Sequence, residues 1–213
     1  KNKIIYHGIE SRFFQSPKQQ KTLNSYTDQN PFKIIYVSSI DSYKHQWHVV
    51  EAVALLKDEG YSIHLELYGA ARIGPLRRLK SAIEKHDREG SYISYSNEIN
   101  FSEVHSIYQN ADLSVFASSC ETFGQIVLES MASGLPIACS NMSSMKEIIK
   151  DGCVYFNPLD SRDIKKAIKS LLDSPEYREE VSTRAYNYSK NFSWQETSRQ
   201  TFEFIKEIQE ELS

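Results

Sequence analysis

Short apolar, β-branched runs alternate along this chain with longer stretches whose apolar positions recur every three or four residues. Residues 33–37 read as a buried strand, and 48–57 place Val49, Ala52, Val53 and Leu56 on one helical face with Gly60 as a stop. Together they make a βα unit. The pattern repeats: a strand at 63–68 ending in Gly69, then a helix opened by Pro75 and carried through Leu76, Leu79 and Ile83 towards Gly90. Residues 92–95 form a third strand. A short helix around Val104, Ile107 and Tyr108, a strand at 113–117, a helix at 125–133 and a strand at 137–139 follow, and 154–156 is a sixth strand.

Strict βα alternation predicts an α/β fold: a Rossmann-like, doubly wound parallel sheet of about six strands with helices on both faces. Ligands on such sheets lie at the carboxyl ends of the strands, which selects the loops 38–45, 69–74, 96–99, 118–124 and 140–144. Beyond Pro158 the pattern is purely helical, at 163–172, 175–188 and 194–212, with Ser193 as N-cap of the last, giving a helical C-terminal tail. Residues 10–30 are polar, hold one hydrophobic pair (Phe13, Phe14), and read as a linker or long surface loop. The aromatic residues Tyr36, Tyr68, Phe116, Phe202 and Phe204 read as core or helix packing.

Composition narrows the function. The 25 basic residues against 28 acidic give a net charge of −3 over 213 residues, which lacks the basic excess of a general nucleic-acid binder. No apolar run approaches the ~20 residues of a membrane span, and the first ten residues have no apolar signal core, so a soluble chain is expected, which the cysteines place in a cytoplasm. Cys120, Cys139 and Cys153 lack metal-ligand spacing and read as reduced, buried thiols. No Gly-x-Gly-x-x-Gly follows the first strand, which disfavours a dehydrogenase-type dinucleotide site.

The chemistry concentrates in SSCETFGQIVLESMASGLP, residues 118–136. Glu121 sits in a strand-to-helix loop, Gly124 opens the helix, and Glu129 lies about 7–8 Å into it. Around Glu129 the helix is apolar nearly all round (Ile126, Val127, Leu128, Met131, Ala132) and therefore buried. A buried carboxylate needs donors, and no lysine or arginine occurs between Ser106 and Asn141. A ligand diol, a distant basic residue or a solvated stripe each answers that need. The free amides at Phe123, Gly124 and Gln125 suit phosphate.

This stretch resembles the hallmark of the family 4 retaining glycosyltransferases (group 1) of the GT-B fold, a Glu-x7-Glu followed by Met-Ala-x-Gly-x-Pro. Ala117 to Gly124 and Leu128 to Pro136 match it position by position. The likeness extends to Ile4–Phe13, to 33–45, to Asn110-Ala111-Asp112 and to Asn157-Pro158-Leu159-Asp160. It implies transfer of a hexose from a nucleotide diphosphate sugar with retention, without metal and without a cofactor. Carried onto this chain, the likeness gives Glu121 the donor sugar and Glu129 the ribose. Thr122, Phe123, Gly124 and Gln125 cradle sugar and diphosphate, and Lys44 binds the diphosphate. Ser38, Ser39, Gly69 and Arg72 line the donor site, and Glu98 and Ile99 fall where the family contacts the base.

The chain departs from the pattern at Ser38-Ser39, where Gly-Arg is usual, and at Lys44-His45, where Lys-Gly is usual. His45, Arg72 and the Ser39 hydroxyl are the candidate replacements for the missing arginine. The absence of any Asp-x-Asp agrees with a metal-free site. The likeness also implies one half of a GT-B enzyme, the donor-binding C-terminal domain over 1–213. In it 1–30 is the interdomain segment, 31–160 the sheet and 161–213 the C-terminal helices. The expected partners are the donor and an absent N-terminal acceptor domain, through which any membrane attachment would run. Without that domain no turnover is expected. The other readings are a non-catalytic nucleotide-sugar-binding module, favoured by Ser38-Ser39, and a sugar-nucleotide epimerase.

Overall fold

The computed structural model describes residues 1–97 and 99–212, so the base-contact expectation at Glu98 lies outside the described residues. Six parallel strands form one sheet in the order β3-β2-β1-β4-β5-β6. They are β1 (Phe32–Val37), β2 (Ile63–Tyr68), β3 (Ile93–Ser96), β4 (Leu113–Phe116), β5 (Ile137–Ser140) and β6 (Val154–Phe156). Between and after them run α1 (Gln46–Asp58), α2 (Ile73–His86), α3 (Val104–Gln109), α4 (Gln125–Ala132), α5 (Met145–Ile149), α6 (Ser161–Asp173), α7 (Pro175–Ser189) and α8 (Trp194–Leu212). Strands are added outward from β1 and then, in the other direction, from β4. Right-handed crossovers therefore put α1 and α2 on one face and α4 and α5 on the other. In the tail, α6 packs on α1 and α7 on α4, extending both layers.

Cover on the two faces of the sheet shows in the strand sequences. Strands β4 and β5 are buried at every residue, whereas β2, one strand in from the opposite edge, alternates buried and half-buried positions. Helix starts follow local chemistry: the Asp160 side chain accepts from the Arg162 amide, and Ser174 from the Tyr177 amide with Pro175 in the first turn. The expected Ser193 cap is present, its Oγ accepting from the Glu196 N–H at 3.1 Å.

Four features differ from expectation. Helix α5 was not read from the sequence; it is a single turn burying Met145, Ile148 and Ile149. Helix α2 begins at Ile73, two residues before Pro75, because proline inside a first turn removes an N–H that has no partner there anyway. Cys120 is exposed, unlike Cys139 and Cys153. Phe202 is 71% exposed on α8, a helix with no buried residue, rather than packed.

The polar stretch 10–30 contains two single 3-10 turns, Ser11–Phe13 and Leu23–Ser25, and is fastened to the body. Phe13 is buried against Tyr108, and the Gln15 amide donates to the Ala132 carbonyl at 2.9 Å. Arg178, fully buried in α7, donates to Gln20 Oε1 at 3.0 Å, to the Lys21 carbonyl, and to the Leu171 and Leu172 carbonyls at 2.6 and 2.8 Å. One guanidinium thus ties the stretch to the end of α6. No helix among the described residues is long and apolar enough to cross a membrane.

Candidate active site

The sheet changes direction between β1 and β4, and the loops leaving their carboxyl ends diverge there to open a crevice. Two adjoining cavities of about 490 and 550 Å³ occupy it. Phe101, Ile126 and Glu129 line both, so they form one cleft with Glu129 in the middle. Gly69 closes one wall: at φ +137°, a Cβ there would stand 2.2 Å from the Ser38 carbonyl oxygen, which excludes any side chain.

Glu129 is 6% exposed, and among the described residues its carboxylate has neither a hydrogen bond nor an ion pair. Burial pushes its pKa up to about 7; Glu10 adds to the rise and Arg12 opposes it. Arg12 is the distant basic residue that the sequence left open, but it does not pair with Glu129. Its Nε lies 3.0 Å from Glu10 Oε2, and its guanidinium sits 4.3 Å from the centre of the Phe101 ring.

Glu121 lies in the same cleft, and its carboxylate is hydrogen-bonded and ion-paired to Lys44 Nζ. Lys44 is 5% exposed, packs 4.8 Å from the centre of the Phe116 ring and stands behind Glu121. The Glu121 backbone is held from the β5–α5 loop: its N–H donates to Ser143 Oγ at 2.9 Å, and its carbonyl accepts from Ser143 Oγ and, at 3.1 Å, from Ser144 Oγ.

Gly124, at φ +84°, turns the chain into α4, whose first carbonyl bond runs from the Val127 N–H to Gly124 O. The N–H groups of Phe123, Gly124 and Gln125 have no protein acceptor among the described residues, which leaves them for a ligand at the positive end of the helix. Thr122, Phe123, Gly124 and Gln125 all line the cleft. The Gln125 side chain is already committed, donating to the Gly8 carbonyl at 3.0 Å, and the Phe123 ring stacks on Tyr6 at 5.7 Å.

The structure gathers Glu121, Glu129 and residues 122–125 with Ser38, Ser39, Gly69 and Ile99 around one cleft. It does not bring Lys44, His45 or Arg72 to that lining, and Lys44 reaches it only through the Glu121 carboxylate. Arg72 is exposed and paired to Asp41 Oδ2 at 3.2 Å. His45 bonds Ser119 Oγ at 2.8 Å through Nε2 and stacks on His48. Burial, with His48 and Arg78 nearby, holds its pKa down at about 4, so it carries no charge at neutral pH. Neither residue replaces the arginine expected near Ser39. His45 does explain the usual glycine, because it sits in the left-handed region at φ 51°. Sequence reading missed Phe101 and Trp194, and it reached Ser143 and Ser144 only as members of the selected loop 140–144, without a role for either.

The family model described as Glycosyl transferases group 1 matches residues 17–188. Among curated proteins, O-antigen chain mannosyltransferase B of Escherichia coli is 29% identical over 175 residues, covering 81% of this chain and 45% of that protein. Among solved structures, sucrose-phosphate synthase from Thermosynechococcus elongatus superposes with a TM-score of 0.82 at 18% identity, over 97% of this chain and 52% of that one. An Anabaena protein in complex with UDP and glucose gives a TM-score of 0.81 at 19% identity, over 96% of this chain and 56% of that one. The chain thus spans about half the length of the proteins it matches.

Proposed function

The chain belongs to the group 1 glycosyltransferases, and on that premise we propose that it is the donor-binding half of a retaining, metal-independent hexosyltransferase that uses a nucleotide diphosphate sugar. The observation that carries this reading is the buried, unpartnered Glu129 carboxylate, which shares a cleft with Glu121 and three unbonded amides. A ribose diol supplies the two donors Glu129 lacks. The diphosphate takes the free amides of 123–125 and draws Lys44 from Glu121, which turns to the sugar hydroxyls. In the transfer, the bond from the anomeric carbon to the diphosphate oxygen breaks, the acceptor oxygen bonds to that carbon on the same face, and its proton passes to the departing diphosphate. No protein base is required.

The likeness to an Escherichia coli O-antigen mannosyltransferase and to a protein solved with UDP and glucose supports a cell-surface polysaccharide setting and a nucleotide-sugar donor. Matching about half of each relative supports an acceptor domain beyond residues 1–213. The free cysteines fit a cytoplasmic, reducing setting. A second reading, a non-catalytic nucleotide-sugar-binding module, is favoured by the one observation that neither His45 nor Arg72 lines the cleft. Calorimetric titration with UDP, GDP, ADP and their hexose conjugates, in EDTA and then in Mn²⁺, tests the donor reading. One nucleotide should bind in EDTA and be lost in Glu129→Ala; binding only with Mn²⁺ refutes metal independence. Transfer on supplying the acceptor half separates enzyme from module.

A further inference from the structure

Ser143 combines two features found together nowhere else among the described residues. It is a non-glycine residue in the left-handed region, at φ 60°, and its hydroxyl bonds both backbone groups of Glu121. Such a conformation is unfavourable for serine and persists only where the surroundings hold it. Here it aims one hydroxyl, as acceptor and donor at once, at a residue 22 positions away. The Ser144 hydroxyl donates to the same carbonyl at 3.1 Å.

The Glu121 carbonyl has these two serines as its hydrogen-bond partners, and its N–H has Ser143. A trans peptide is planar, with C=O and the following N–H pointing opposite ways. Anchoring the Glu121 carbonyl on the β5–α5 loop therefore turns the Thr122 N–H away from that loop, in a segment that lines the cleft. The same anchor fixes where the Glu121 side chain starts. Glu129, one turn and more into α4, has no contact with it and is positioned by the packed helix.

We infer that Ser143 is a positioning residue for donor-sugar recognition: through the Glu121 backbone it sets the sugar-facing part of the cleft and leaves the nucleotide-facing part alone. This rests on the donor reading above. The split between the two ligands is what a merely structural role would not produce.

The test compares Ser143→Gly and Ser143→Ala with the parent chain, titrating the nucleotide that the parent binds and then its hexose conjugate. Glycine accommodates the left-handed turn, so Ser143→Gly loses the hydroxyl without adding strain. Alanine loses the hydroxyl and keeps the strain. In both variants the nucleotide alone should bind within about twofold of the parent, while the ratio of conjugate to nucleotide affinity falls about three- to tenfold, as for loss of a hydrogen bond or two. Ser144→Ala, which leaves Ser143 in place, should shift that ratio less. Parallel weakening of both ligands, or an unchanged ratio, overturns the inference. A parent chain that binds no nucleotide overturns the donor reading, and this inference with it.

Discussion

Glu129→Gln should move stability and binding in opposite directions, and the size of each movement follows from burial. The carboxyl pKa is raised from 4.5 to about 7 in the folded chain. Between those values the folded state holds a proton that the unfolded state has released, so stability falls as pH rises through this window. The full penalty above pH 7 is about 3 kcal/mol. Glutamine does not titrate. The stability difference between variant and parent should therefore grow by about 3 kcal/mol in the variant's favour between pH 4.5 and pH 8. For a chain of this length that is a relative Tm shift of ~6–12 °C. Subtracting the pH 4.5 difference cancels whatever the uncharged amide costs in the apolar site. Binding moves the other way. The ribose hydroxyls need the ionised carboxylate, so parent affinity for the nucleotide should rise from pH 6 to pH 8. Loss of two charge-assisted bonds should weaken the variant ~10–100-fold at pH 8. Melting curves and titrations across pH measure both. Parallel stability profiles for parent and variant would refute the argument from burial, and a nucleotide affinity insensitive to the substitution would remove the ribose role.

Lys44→Met leaves the Glu121 carboxylate without its buried partner and should cost about 3 kcal/mol in denaturant unfolding, most of it recovered in the double variant with Glu121→Gln. Arg178→Met breaks the bonds to Gln20, Lys21, Leu171 and Leu172, so about 3–5 kcal/mol should be lost and limited proteolysis should cut first within residues 16–25. Gly69→Ala forces a Cβ against the Ser38 carbonyl and should lower Tm by more than 8 °C, with nucleotide affinity falling because Ser38 lines the cleft.

The sheet was legible because β1, β4 and β5 are almost wholly buried and read as short apolar runs, interrupted only by Lys33, Ser114 and the terminal Ser140. Glu129 was legible because a carboxylate in the mostly apolar IVLESMA contradicts its surroundings, and Glu121 joined it through the likeness of residues 117–136 to the group 1 motif. What escaped depends on tertiary contact. Helix α5 is one turn long, too short for periodicity to register, and Phe101 belongs to the cleft through the way Arg12 and Phe13 back it. Nothing local in Asn-Met-Ser-Ser marks Ser143 for a left-handed conformation, since that angle is imposed by Glu121 across the loop. His45 and Arg72 show the converse error: basic residues near the site in sequence are turned aside by Ser119 and Asp41.

The strand order carries a mechanical consequence. Strand β1 matches β2 over six residue pairs but meets β4 over two, Ile34 with Leu113 and Ile35 with Ser114. With four pairs between β2 and β3 and three each from β4 to β5 and β5 to β6, the β1–β4 ladder is the shortest in the sheet and divides it into two flaps along a seam. Ser38, Gly69 and Lys44 belong to one flap, and Glu121, Glu129 and the amides of 123–125 to the other. A molecule lodged in the cleft staples the seam from its open end, and amide hydrogen exchange in β1 and β4 would slow by more than in the outer strands.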